Sequence, residues 1–292
     1  AITAIVPVDP DITRVEVTRL FADPAGRLYP FTLPQFYRRS AAGWRRLPPP
    51  ETFWAGPELI VGRRVALGVT AVDADWARAL LPGLDDLLAR FCADVGCPAG
   101  VITLTLAHNA YWRPEVPELR GDDPLLLGLL PPVVSRYPAY TLLLPSPHDV
   151  GYPAEAAGAE LLRRAVATQL LYTAADRAAF GSSRLEPVGN IYFLALVARL
   201  TARYGLDLEA ARVTRSPLPA EVSDPRILWD FRFGATRRAD LIRYALGELN
   251  AWLAGQSPET ELRLLRTSGL AVSLASWLAA GQTIGSGSGE VQ

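Results

Sequence analysis

The chain has 292 residues, 50% hydrophobic and 20% charged, with 29 basic groups against 30 acidic ones and a net charge of −1. That composition excludes general disorder and provides core for about two domains. Every basic residue is arginine, which excludes a P-loop lysine, a Schiff base and a lysine general base. The balanced charge excludes a dedicated nucleic-acid binder, which needs a basic excess to displace counterions from phosphates.

Residues 3–47 alternate as antiparallel strands, with turns at Pro24-Ala25-Gly26 and Ala41-Ala42-Gly43. Pro48-Pro49-Pro50 marks a stiff boundary before Phe53-Trp54. The reading is a β-rich module over 1–50, a second domain over 51–282 and a flexible tail over 283–292. Leu59 to Val69 predicts one strand. Asp73 then caps a helix carrying Trp76, Leu80, Leu84, Leu87, Leu88 and Phe91, broken or kinked at Pro82-Gly83 and ended by Gly96. Val101–Leu106 and Tyr140–Leu144 predict further strands, separated by a proline-rich irregular excursion. Helices follow over 154–179, 187–204, 235–254, from Ser257-Pro258 onward, and over about 269–280, with Ile227–Phe233 as a short strand or extended segment. Strands first and helices later predict an α+β fold: an antiparallel N-terminal β region, a mixed-sheet middle and a mainly helical C-terminal half.

Cys92 and Cys97 are the two cysteines. Their spacing leaves a local disulfide and two free thiols both open, and it is not the Cys-x-x-Cys spacing of redox catalysis. A disulfide would place the chain outside the cytoplasm. No apolar run is long enough to span a bilayer, so membrane attachment is expected only through an anchor absent from this chain.

The two histidines, His108 and His148, are the natural general bases. A Ser146/His148/Asp149 relay is geometrically poor, because a triad needs groups converging from separate segments. The carboxylate pairs Asp85-Asp86, Asp122-Asp123 and Asp73/Asp75 read as solvated surface, with Asp73 a helix cap. No nucleophile elbow, Walker A loop or dinucleotide glycine motif is present. Trp54, His108, Tyr111, Trp112 and His148 are the residues that could line a groove, although aromatics are also ordinary core material.

A sequence of short words, Gly43-Trp44-Arg45-Arg46, Phe53-Trp54-Ala55-Gly56, a helix ending in Asp94-Val95-Gly96, the strand Ile102–Leu106, and Ser146-Pro147 before a long helix, resembles the extracytoplasmic peptidase MA-like domains. These are gluzincin-related and occur in membrane-anchored bacterial proteins. The resemblance covers about four fifths of the chain, and it implies that residues 1–50 are a remnant of a cystatin- or NTF2-like module. An active member carries His-Glu-x-x-His on the long helix, two imidazoles one turn apart on zinc with the glutamate activating water. Here that helix holds neither histidine nor the glutamate of the motif, and Arg164 and Thr168 stand at the ligand positions.

The resemblance therefore implies a degenerate, non-catalytic member with no metal and no cofactor. Its expected role is a binding, sensory or structural module whose partner is a protein or small ligand. The alternatives are a hydrolase built from scattered carboxylates and one histidine, and a subunit of a homomeric surface assembly.

Overall fold

The computed structural model describes residues 1–22, 27–97, 99–107, 133–134, 141–180, 191–206, 210–218, 235–267 and 276–279. The chain is α+β, and it divides into two compact units, 1–85 with 101–167 and 86–100 with 168–292.

The first unit holds two sheets. In sheet A, β1 (Ile2–Pro7), β2 (Ile12–Ala22), β3 (Leu28–Ser40), β4 (Gly43–Leu47) and the two-residue β10 (Tyr152–Pro153) pair antiparallel throughout. Strand β3 is the organiser. It pairs with β2 along one side and with β10 and β4 along the other, and its alternation buries Phe31, Leu33 and Gln35 on one face. The expected turn at Ala41-Ala42-Gly43 joins β3 to β4, whereas the Pro24–Gly26 turn lies outside the described residues.

Sheet B is mixed, in the order β5-β6-β7-β9-β8. Strands β6 (Val65–Thr70), β7 (Ile102–Ala107) and β9 (Thr141–Pro145) are parallel neighbours, while β5 (Pro57–Val61) and the short β8 (Val133–Val134) run antiparallel at the edges. Val65, Ala66, Leu67 and Val69 of β6 are all buried, the near-continuous apolar run of a strand covered on both faces.

The single strand expected from Leu59 to Val69 is thus a hairpin, because the chain reverses at Gly62-Arg63-Arg64. A carboxylate drives that turn. Asp85 Oδ2 accepts from the Arg63 N–H at 2.6 Å, and Asp85 Oδ1 accepts from the N–H groups of Arg64 and Val65, each at 2.9 Å. Asp85 is buried, which corrects its reading as surface. Gly62 lies so close that an added Cβ would stand 2.3 Å from Asp85 Oδ2.

A short helix α1 (Glu51–Trp54) follows the triproline run, and a 3-10 turn over Ala71–Asp73 leads into α2 (Ala74–Val95). Helix α2 continues through Pro82 instead of breaking there. Its apolar stripe, Ala77, Leu80, Leu81, Leu84, Leu88 and Phe91, is buried, and that packing outweighs the one backbone donor that proline removes. Beyond β9 come α3 (Pro147–Val150), then α4 (Ala156–Phe180). Between them Gly151, at φ +124°, takes a conformation open to glycine, and an added Cβ would meet Phe31 Cβ at 2.9 Å.

The second unit is helical. Helix α5 (Ile191–Ala202) is its centre, buried on nearly every side, and packs against α6 (Ala235–Leu253) and α7 (Pro258–Thr267). Tyr172 of α4 donates its hydroxyl to the Leu194 carbonyl at 2.9 Å. Residues 276–279 are helical and bring the fully buried Trp277 onto α7, its indole N–H donating to the Leu264 carbonyl. Cys92 and Cys97 form a disulfide around the helix stop at Gly96, which has φ +76°. The extended segment expected at 227–233 lies outside the described residues.

Tyr204 donates to Asp94 and lies edge-on to Phe91, 5.4 Å between ring centres. Burial, followed by the bond to Asp94 and its charge, pushes this phenol above its usual range, and burial does the same at Tyr192. In the window above the unfolded value of about 10, the folded state keeps a proton that the unfolded chain releases. This contribution to stability is complete below that value and declines as pH rises through the folded one. Urea midpoints measured from about pH 8 to 11 should fall steeply at the alkaline end. They should fall less steeply in Tyr204→Phe; identical slopes would remove Tyr204 from the account.

Candidate functional site

A connected polar cluster of the first unit forms where β6 ends and α3 begins. Asp73, the last residue of the 3-10 turn, is 0% exposed. A carboxylate this deep must be fully hydrogen-bonded to remain there. Its Oδ2 accepts from Ser146 Oγ at 2.7 Å and from Thr70 Oγ1 at 3.3 Å, and its Oδ1 lies 2.7 Å from His148 Nδ1. With an ionised Asp73 that contact requires Nδ1 to carry the proton, leaving Nε2 with its lone pair when the ring is neutral.

Local sequence explains why the pieces converge. Ser146 is the N-cap of α3, its Oγ accepting the His148 N–H at 3.1 Å, with Pro147 at the first helical position. That cap turns the chain by one helical turn and aims the His148 ring back at Asp73. The ring stacks on Tyr152, 4.8 Å between centres, and stands edge-on to Phe53 at 5.9 Å. Phe53 in turn packs edge-on against Phe36 and Trp54. Burial, and after it the charges of Asp73 and Asp75, raises the Tyr152 phenol above its ordinary value. The His148 side chain keeps 19% of its surface exposed, so the cluster sits at the rim of the core.

The carboxylate that meets Ser146 and His148 is therefore Asp73, more than 70 positions away. The Ser146 hydroxyl lies on Asp73 and on a backbone N–H, so it is not placed on the imidazole as a triad nucleophile is. An acid ahead of an apolar helical stripe is the usual signal of an exposed cap, and nothing local marks Asp73 as buried. A lone tyrosine beside a proline carries no pattern, so the sequence gives no signal for Tyr152.

Of the residues considered for a groove, Trp54 is 2% exposed and belongs to the core, and His148 belongs to the cluster. His108, Tyr111 and Trp112 lie outside the described residues. On α4, Arg164 and Thr168 are half-buried, and Arg164 pairs with Glu160 at 3.3 Å. Among the described residues no three His, Cys, Asp or Glu side chains are grouped to hold a metal ion. No helix among them is long and apolar enough to cross a membrane.

No family model matches the chain, and no curated protein matches it.

Proposed function

We propose that this chain is a non-catalytic extracytoplasmic module with a degenerate metallopeptidase-like fold, working by binding a protein or small ligand in a binding, sensory or structural role. The observation that carries the reading is the occupant of the metal-helix position. Arg164 stands where the resemblance places an imidazole, and its guanidinium, paired with Glu160, has no lone pair to give a metal. Three further features support it. A mixed sheet precedes the long helix α4, as the resemblance implies. The Cys92–Cys97 disulfide suits an oxidising compartment. The Ser146 hydroxyl donates to Asp73 rather than to the His148 ring.

A second reading, a hydrolase using His148, has one observation in its favour: a buried carboxylate holds Nδ1 and leaves Nε2 for proton transfer, the orientation a general base needs.

One experiment separates the two. The chain is equilibrated with excess zinc, desalted and assayed for metal and for ester and peptide hydrolysis, alongside His148→Ala. The module reading expects no stoichiometric zinc and no hydrolysis that depends on His148. About one equivalent of retained zinc, or turnover lost in the variant, would overturn it.

A further inference from the structure

A pocket of about 220 Å³ opens in the second unit, lined by Arg199, Ala202, Arg203, Ala211 and Glu261. Arg199 and Arg203 lie one turn apart at the C-terminal end of α5. Glu261 of α7 is 3% exposed and faces both guanidiniums, with Arg199 Nε 2.5 Å from its Oε1 and Arg203 Nη2 2.5 Å from its Oε2. Arg199 Nη1 also donates to Asn250 Oδ1 on α6. The Asn250 amide nitrogen in turn donates to the carbonyls of Ala210 and Val213, which fixes both its orientation and the segment that forms the pocket wall.

The buried acid does not exhaust this cluster. Two guanidiniums against one carboxylate leave a charge of +1 on the residues that line the pocket, and the next acid on α7, Glu259, feels both Arg263 and Arg203. Each guanidinium carries five N–H groups. Glu261 Oε1 and Asn250 Oδ1 accept from Nε and Nη1 of Arg199, whereas Arg203 Nη2 meets Glu261 Oε2 as an ion pair without hydrogen-bond geometry. The remaining nitrogens, Nη2 of Arg199 and Nε and Nη1 of Arg203, have no partner among the described residues. The alanines at 202 and 211 keep the space beside them open. Charge, unsatisfied donors, a fixed scaffold and a small volume together define a receptor for a group with two or more acceptor oxygens and one negative charge.

We propose that this pocket binds a small oxyanion, a carboxylate or phosphate group, held by the guanidiniums of Arg199 and Arg203 while Glu261 orients them and sets the net charge. Glu261 is a positioning residue here: it opposes the anion's charge but fixes where both forks point. The site belongs to the second unit and shares no residue with the Asp73 cluster of the first, and its test is independent of the metal and hydrolysis assay.

The full chain is titrated with inorganic phosphate and, separately, with acetate, at ionic strength held constant with sodium chloride, and followed by calorimetry and by NMR shifts. Saturable one-site binding is expected for at least one probe, and the stronger probe identifies the source chemistry. Arg203→Gln should weaken it roughly tenfold, the loss of one charge-assisted contact. Arg203 is 37% exposed, so this variant should keep the fold, checked by circular dichroism. Glu261→Gln raises the pocket charge from +1 to +2 and should tighten binding by a similar factor, an effect that a purely structural ion pair would not produce. If Glu261→Gln does not fold, Arg203→Gln decides alone. No saturable binding of either probe, equal affinity in Arg203→Gln, or a folded Glu261→Gln that binds no more tightly would overturn the proposal.

Discussion

Replacing Asp85 by alanine is expected to destabilise the first unit by about 3–5 kcal/mol. One carboxylate accepts three consecutive backbone N–H groups, from Arg63, Arg64 and Val65. Val65 is fully buried, so its donor cannot turn to water when the acceptor goes. Arg63 is exposed and its N–H can rehydrate, which keeps the total below the sum of three separate charged hydrogen bonds. Asp85→Asn retains one acceptor oxygen but turns an amide N–H toward a backbone donor, and about half of the loss should remain. Urea denaturation of both variants checks this; a change below about 1 kcal/mol in Asp85→Ala would show that the turn is held by the strand pairing alone.

The second large effect is expected at Asp73. Asp73→Ala removes the acceptor shared by Ser146, Thr70 and His148 and should cost about 3 kcal/mol, because Ser146 is fully buried and its O–H is left without an acceptor. Ser146→Ala should cost about 1 kcal/mol, since Asp73 still holds His148 and only a cap and one hydroxyl bond are lost. The difference between the two variants is the informative quantity. Equal losses would mean that Asp73 acts only through Ser146 and that His148 is not anchored by it. Nitrogen-15 shifts of the imidazole supply a second readout: the Nδ1–H tautomer should dominate in the neutral wild-type ring and its excess should disappear in Asp73→Ala.

Much of the secondary structure was legible because its causes are local. Alternation marked β3 and β7, an apolar stripe at helical spacing marked α2 and α6, and Ser257-Pro258 opened α7 where the capping preference places it. The misread stretches share one feature, a long-range partner that changes the local outcome. Leu59 to Val69 reads as one strand, but Asp85, over 20 residues away, collects the N–H groups of Arg63 and Arg64 and makes that stretch a turn. Pro82-Gly83 reads as a break or a kink, and the helix runs through it without a break while the α2 stripe is buried on both sides of the proline.

The candidate sites were less legible still. A carboxylate shows the same letter whether it caps a helix at the surface, as Asp73 seemed to, or sits at 0% exposure with three donors around it. Arg199, Arg203 and Glu261 carry no local signal, because a charge on a helix is ordinarily a solvated one and the partners here are 62 and 58 positions apart. Only packing brought them together.

By itself the sequence determined the α+β class, the order of strands before helices, the lack of any lysine chemistry and the presence of two cysteines five positions apart, because these depend on composition and on periodicities of two and 3.6 residues. The tertiary structure alone decided which polar residues are buried and which of them meet. A buried charge is stable only where donors from other segments surround it, and their arrival at Asp73, Asp85 and Glu261 depends on how the elements pack.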